Sequence, residues 1–195
     1  MDFFYENEAH ENGFAVVCGT DEAGRGPLAG RVYAAAVILP DGLYIEGLND
    51  SKKLTEKKRE KLFEIIKSEA LSYGIAYATA AEIDELNILN ASLLAMRRAI
   101  DMLDPKPDFV LVDGNQTRGF TIPAKAVVKG DAVSPSIAAA SILAKVSRDR
   151  SCLELDAKYP EYGFAKHKGY PTKEHYEAIK KYGITPDHRR SFRLE

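Results

Sequence analysis

Three short apolar segments of this 195-residue chain each lead into acidic residues, and no other feature constrains the fold as much. Apolar runs of this kind are typical of buried strands. The segments span residues 14–19, 109–114 and 126–131, and their acids are Asp21, Glu22, Asp113 and Asp131. Ligands of open α/β sheets bind beyond the ends of strands, so neighbouring strand ends would bring these four carboxylates together.

Strands and helices alternate along the rest of the chain. Further strands are predicted over residues 31–39 and 74–80, and helices over 56–72, 81–103, 135–158 and 173–182. Thr55, Ser134 and Thr172 each precede a helical pattern and are predicted to be N-caps. Pro135 suits the first position of its helix. The order of these elements, in which strands come first and are followed by helices interleaved with strands, predicts an α/β domain with a mixed sheet.

The bulk composition indicates a globular protein of the cytoplasm. Apolar residues make up 45% of the chain, and its net charge is −2. No apolar run approaches the roughly 20 residues that span a bilayer, so we expect no membrane partner. The N-terminus is acidic and lacks the basic start of a signal peptide. Residues 145–195 carry 12 Lys and Arg against 8 Asp and Glu, a balance that could contact phosphates locally.

The four acids point to divalent metal ions if they meet. Unpaired carboxylates in one place would repel one another and become partly protonated. Hard oxygen ligands favour Mg²⁺ or Mn²⁺ over zinc. Two such ions activate a water and stabilise the leaving oxygen in phosphodiester hydrolysis. The spacing alone leaves a second interpretation open, in which Asp113-Gly114 is an ordinary turn and Asp131 favours a helix N-terminus.

Several longer motifs resemble those of ribonuclease HII, in that family's order. The first is Thr20-Asp21-Glu22-Ala23-Gly24-Arg25-Gly26-Pro27-Leu28-Ala29-Gly30. The others are residues 50–54, 112–115, 129–131, 138–149, 167–172 and 188–192. The resemblance covers about residues 14–192.

The resemblance implies a ribonuclease H-like α/β fold, in which helices flank a mixed β-sheet and a helical segment follows. We therefore expect an N-terminal extension over residues 1–13, a catalytic domain over 14–158 and a C-terminal helical segment over 159–195 packed on that domain. Residues 1–13 are polar enough to be loosely held. We expect the protein to be a monomer.

The resemblance also implies a metal-dependent endoribonuclease. Its substrates would be RNA–DNA hybrids and DNA that contains ribonucleotides, cut 5′ to a single embedded ribonucleotide. The metal ligands and catalytic residues would be Asp21, Glu22, Asp113 and Asp131. Gly24-Arg25-Gly26 and Tyr170 would recognise the ribonucleotide.

Further candidates for substrate binding follow from the same motifs. Ser51, Lys52 and Lys53 precede a helix and would hold the DNA backbone. Asn87 and Asn90 share a helical face and either bind the substrate or are ordinary exposed residues. Lys145 and Arg148 could reach a phosphate or pair with an acid. A structural role is favoured for His167 over leaving-group protonation, and an ion pair for Asp149 over metal binding.

Three other functions remain open at this point. The first is another nuclease of the same fold, which the combination of Gly24-Arg25-Gly26 with Tyr170 disfavours. The second is a nucleic-acid-binding module without chemistry, which would have no use for four acids that repel its ligand. The third is a structural α/β protein whose acids cap turns.

Overall fold

Five strands form one mixed sheet, as predicted from the sequence. The computed structural model describes residues 1–49 and 51–195, except for the side chain of Lys52. The strands are β1 Val17–Ala23, β2 Val32–Ile38, β3 Ser72–Ala78, β4 Phe109–Asp113 and β5 Ala124–Val127. Their order in the sheet is β3-β2-β1-β4-β5. The β1–β2 and β2–β3 pairs are antiparallel, whereas β1–β4 and β4–β5 are parallel.

Helices cover both faces of the sheet. They are α1 Phe4–Glu11, α2 Glu56–Glu69, α3 Ala80–Leu86, α4 Ile88–Asp101, α5 Pro135–Lys158, α6 Phe164–His167 and α7 Lys173–Tyr182. The α4 helix packs on one face of the sheet, and α5 and α2 form a second core on the other. No helix in the described part of the chain has the length and apolar character needed to cross a membrane.

The α5 helix lies very close to the central strand. Its residues 138–140 are alanines with no exposed surface. A Cβ on Gly19 of β1 would lie 2.3 Å from the carbonyl carbon of Ser136. The predicted caps of three helices are confirmed, because Thr55, Ser134 and Thr172 each accept a backbone N–H of the first helical turn. Small residues on both surfaces therefore fix α5 against the strand that carries the acidic pair.

The helix predicted over residues 81–103 is two helices. Asn87 has φ of +68° and separates α3 from α4. Its Oδ1 accepts the N–H of Asn90 at 3.1 Å and begins α4. Apolar residues on both helices, such as Ile83 and Leu93, are buried, so their spacing continues across the break and conceals it.

Three acidic residues differ from the strand-end prediction. Asp21 and Glu22 lie inside β1 and pair with Ala35 and Ala34 of β2, because the antiparallel ladder continues through Ala23. Asp131 does not end a strand, since β5 ends at Val127 and residues 130–132 form a 3₁₀ turn.

The N-terminal segment is held more firmly than its polarity suggests. It forms α1, whose Glu6 is only 4% exposed. One oxygen of Glu6 accepts the hydroxyls of Ser134 and Ser136, each at 2.6 Å, and the Ser136 N–H at 3.1 Å. A carboxylate at the N-terminus of the 24-residue α5 is favoured by the helix dipole. The sequence leaves open whether residues 1–13 are ordered, and in the structure Glu6 anchors them to the start of α5.

Candidate active site

A cleft of about 280 Å³ lies where β1, β4 and α5 meet the segment after α6. Several of the predicted site residues line it together. They are Asp21, Glu22, Gly24, Arg25, Gly26, Ser51, Asp113, Arg148 and Tyr170. Ala23 of β1 and Ser141 and Lys145 of α5 complete the lining. Lys145 is one of the further candidates for phosphate contact, whereas the sequence motifs gave Ser141 no role in the site. The close packing of α5 on β1 is what brings its side chains to the acidic pair.

Asp21 is buried, Glu22 is half-buried, and their negative charges repel each other. Asp21 is 5% exposed, and its burial raises its pKa well above the ordinary value. The negative charges of Glu22 and Asp113 raise that pKa further. A hydrogen bond from Ser141 acts in the opposite direction. The Glu22 N–H, 2.7 Å from Asp21 Oδ1, also favours the ionised form.

Glu22 has the same conflict, partly relieved by a cation. Burial is the main cause of its raised pKa, and the charge of Asp113 adds to the rise. Arg25 lowers it, with Nη1 3.4 Å from Glu22 Oε1. Since Arg25 remains half exposed, it can screen Glu22 and still face an incoming ligand.

A hydrogen bond from the Asp131 backbone brings Asp131 next to Asp113. The Asp131 N–H donates to Asp113 Oδ1 at 3.3 Å, and Asp131 is 3% exposed. Within the described residues, no three acidic, imidazole or thiol side chains are close enough together to hold one metal ion. The donor chemistry nevertheless fits a hard divalent cation, because oxygen ligands whose charges raise one another's pKa are relieved by a cation between them.

Two glycines allow the neighbouring segment to pack closely. Gly24 has φ of +98°, and a Cβ there would lie 2.3 Å from Nε of Arg148. A Cβ on Gly26 would lie 3.3 Å from Cε1 of Tyr170. Both the backbone conformation and the available space therefore require glycine at position 24, and Gly26 lies against the tyrosine ring.

Arg189, which belongs to the motif at residues 188–192, anchors the backbone of the same segment. The residue has no exposed surface. Its guanidinium donates to the carbonyls of Gly30 at 3.0 Å, Arg25 at 2.9 Å and Gly24 at 2.6 Å. Burial, and then the charge of Arg148, lower its pKa to about 9. In a trans peptide the C=O and N–H point in opposite directions, so the N–H groups of Arg25 and Gly26 point away from Arg189.

Arg148 forms a buried wall of the cleft. It is 2% exposed, and its Nη2 donates to the Lys168 carbonyl at 2.5 Å. Its guanidinium carbon lies 5.6 Å from the centre of the ring of Tyr170, a residue that is 42% exposed. Within the described part of the chain, its Nε and Nη1 have no hydrogen-bond partner. Arg148 thus joins the Gly24 segment to the Tyr170 segment, with two of its three guanidinium nitrogens buried and without a partner among the described residues.

The other residues predicted to bind the substrate differ in their exposure and in their contacts. Ser51 is buried, with its hydroxyl 2.9 Å from that of Ser141, whereas Lys53 is exposed. The Lys52 side chain lies outside the described residues. Asn87 is exposed and caps α4, and Asn90 donates to the Leu86 carbonyl at 3.0 Å.

Two residues with a proposed structural role have structural partners. His167 accepts the Gly169 N–H at Nδ1, so its Nε2 carries the proton that it shares with the Tyr162 carbonyl at 2.7 Å. Asp149 pairs with Lys145 at 2.7 Å and with Arg59 at 3.7 Å.

Comparison with known proteins identifies the family. The ribonuclease HII family model matches residues 18–195. Ribonuclease HII of Acetivibrio thermocellus is 58% identical over 188 residues, which cover 96% of this chain and 73% of that protein. Ribonuclease HII of a Marinomonas species is 63% identical over 178 residues, which cover 91% and 89%.

Structural comparison agrees with this match. The crystal structure of ribonuclease H2 from Pyrococcus horikoshii superposes with a TM-score of 0.77 at 32% identity, covering 92% of this chain and 95% of that one. The fold is therefore that of ribonuclease H-like proteins, as the sequence motifs implied. The chain belongs to the ribonuclease HII family, and it is a ribonuclease H, a hydrolase that acts on nucleic acid.

Proposed function

We propose that the protein hydrolyses the RNA strand of RNA–DNA hybrids and cuts on the 5′ side of single ribonucleotides embedded in duplex DNA, leaving 5′-phosphomonoesters. This activity would begin the removal of ribonucleotides from DNA. The observation that carries the proposal is the shared cleft, in which an acidic group adjoins a glycine-rich segment and an exposed tyrosine.

Two divalent ions, Mg²⁺ or Mn²⁺, would be held by Asp21, Glu22, Asp113 and Asp131. When bound, such ions supply an activated water and neutralise charge on the scissile phosphate. The chain contributes the orientation of the ligands. Ser141 hydrogen-bonds Asp21, and Arg25 balances part of the charge on Glu22.

The recognition of ribose would come from Gly24-Arg25-Gly26 and Tyr170. Only the 2′-hydroxyl distinguishes a ribonucleotide from its DNA neighbours. Backbone groups of this segment, fixed by Arg189, can hydrogen-bond that hydroxyl without an intervening side chain. The Tyr170 hydroxyl would provide a second contact, and its ring would pack on a sugar. The planar guanidinium of Arg25 suits a phosphate.

Other polar residues would hold the duplex backbone. We assign this role to Ser51, Lys52, Lys53, Asn87 and Arg148. Its place in the lining of the cleft supports the part of Arg148 in phosphate binding. Contacts of this kind release counterions, so affinity would fall as salt rises. The protein would act as a monomer in the cytoplasm.

The test uses a labelled duplex with one embedded ribonucleotide beside an all-DNA duplex, each with and without Mg²⁺ or Mn²⁺. We expect a cut 5′ to the ribonucleotide only when metal is added. Asp21→Asn should abolish cleavage and largely keep duplex binding. Asp41→Asn, an exposed acid at a turn, is the matched control and should cleave normally. Full metal-dependent cleavage by Asp21→Asn, or equal cleavage of both duplexes, would refute the proposal.

A further inference from the structure

Three buried histidines lie together behind the segment that carries Tyr170. His167, His175 and His188 are 8%, 0% and 1% exposed. The rings of His167 and His175 are stacked, with centroids 4.5 Å apart and planes inclined by 15°. The His188 ring lies 5.3 Å from that of His175. None of these rings is accounted for by metal binding or direct substrate contact in the proposed function.

The hydrogen bonds of two of these histidines have a fixed direction. The Thr185 backbone N–H donates to Nδ1 of His188 at 2.9 Å, so this nitrogen is unprotonated. A neutral His188 therefore carries its proton on Nε2, which lies 3.1 Å from Nε2 of His175. His175 must accept there, which leaves its proton on Nδ1, 3.0 Å from the Tyr170 carbonyl.

Both rings are neutral in this arrangement. Burial is the main cause that lowers the pKa of His175, and likewise that of His188, which falls to about 4. A proton added to either ring would place two donors face to face. The chain from Thr185 to the Tyr170 carbonyl is therefore a single defined arrangement rather than a set of alternative tautomers.

We propose that His175 and His188 are positioning residues for Tyr170. Their directed hydrogen bonds connect residues 185–188 to the Tyr170 carbonyl and thereby fix where the tyrosine ring stands over Gly26. The inference rests on the proposed role of Tyr170 in recognising ribose.

The packing around the two histidines explains why Tyr170 needs this support. The residue is 42% exposed, so burial does little to fix its ring. The preceding residue, Gly169, accepts the Leu28 N–H at 2.7 Å, and the Leu28 carbonyl accepts the Arg189 N–H at 2.8 Å. The short segment that carries His188 and Arg189 therefore also fixes Leu28, two residues after Gly26. A shift of the Tyr170 backbone would change its distance from the glycine segment.

The test is a double-mutant cycle measured as kcat/KM on the single-ribonucleotide duplex. His175→Phe keeps an aromatic ring of similar size against Phe164 and His167 but removes both hydrogen bonds. We expect it to lower kcat/KM about tenfold, the factor that corresponds to one hydrogen bond of ordinary strength. In a Tyr170→Ala background the same substitution should change kcat/KM by less than about twofold, because residues that act through one another are not additive.

Two further variants distinguish positioning from general stability. His175→Asn retains a donor near the Nδ1 position and should restore part of the activity lost in His175→Phe. His188→Asn keeps an acceptor for Thr185 but is too short to reach His175, so it should lower kcat/KM even if His175→Phe does not fold. Tyr162→Phe is the matched control, since it removes one partly buried hydrogen bond, to the Gly183 carbonyl at 2.6 Å, from the same aromatic cluster. It should leave kcat/KM unchanged.

The outcomes separate the inference from the proposed function. If Tyr170→Ala cleaves as well as the unmodified protein, the proposed role of Tyr170 is wrong and the positioning role fails with it. If Tyr170→Ala is impaired but the effect of His175→Phe is additive to it, only the positioning role is overturned. Normal activity of a folded His175→Phe protein would also overturn it.

Discussion

The replacement of Arg189 by lysine would test how the glycine segment is held. Arginine donates to three carbonyls at 2.6–3.0 Å, whereas a lysine ammonium in the same place can reach about one of them. Two lost hydrogen bonds at about 1.5 kcal/mol each correspond to about 3 kcal/mol of unfolding free energy. For a chain of this length, each kcal/mol lowers Tm by about 2–4 °C, so we expect a fall of about 6–12 °C.

Activity should fall as well, for a separate reason. The carbonyls of Gly24 and Arg25 belong to the peptide units whose N–H groups are those of Arg25 and Gly26. Without Arg189 these units can rotate, and the N–H groups lose their common direction. We expect kcat/KM on the single-ribonucleotide duplex to fall at least about tenfold, equivalent to about 1.4 kcal/mol of transition-state stabilisation.

The assay combines calorimetry with cleavage kinetics at a temperature well below the variant's Tm. Arg190→Lys is the matched control, since the neighbouring arginine is exposed. It should change neither quantity appreciably. An Arg189→Lys protein with the original Tm and the original kcat/KM would refute the reasoning, because the three carbonyl contacts would then be dispensable.

Three further predictions concern stability. Glu6→Ala leaves the donors of Ser134 and Ser136 unpaired and should cost about 3 kcal/mol in denaturant unfolding; an unchanged midpoint would contradict the anchoring role of α1. Gly19→Ala forces a Cβ against the α5 backbone and should cost about 3 kcal/mol, which the same titration measures. His188 has a folded pKa of about 4 against an ordinary 6.5, so the unfolded chain binds its proton first and stability is lost as pH falls from 6.5 to 4. NMR titration of the ring checks this value, and a ring that titrates near pH 6.5 in the folded protein would disprove it.

Local signals in the sequence predict most of the fold. The caps at Thr55, Ser134 and Thr172 are short-range hydrogen bonds, and the residue types at those positions suffice to place them. The mixed sheet follows from the alternation of apolar strands and helical patterns. The break at Asn87 was missed because a single positive φ interrupts the backbone without interrupting the apolar periodicity.

Long-range anchors could not be predicted from sequence in the same way. In the pair Arg189-Arg190, one side chain is fully buried and the other is exposed, and nothing local distinguishes them. Glu6 is equally unremarkable among the acids of the N-terminus until α5 supplies its partners. The motifs indicate which residues gather in the cleft. The side chains that anchor the surrounding backbone, such as Arg189 and Glu6, are defined by tertiary packing.

The contacts of Arg189 also bear on the order in which the protein becomes functional. Its three hydrogen bonds join residues separated by 159, 164 and 165 positions along the chain. Such contacts cannot form until almost all of the described chain has been synthesised and folded, whereas the β1–β2 ladder beside Asp21 joins near neighbours in sequence. A nascent chain that lacks residues 185–189 would thus hold its acidic pair before the glycine segment, proposed above to recognise ribose, is fixed. If the proposed role of this segment holds, the selectivity for ribose is completed last.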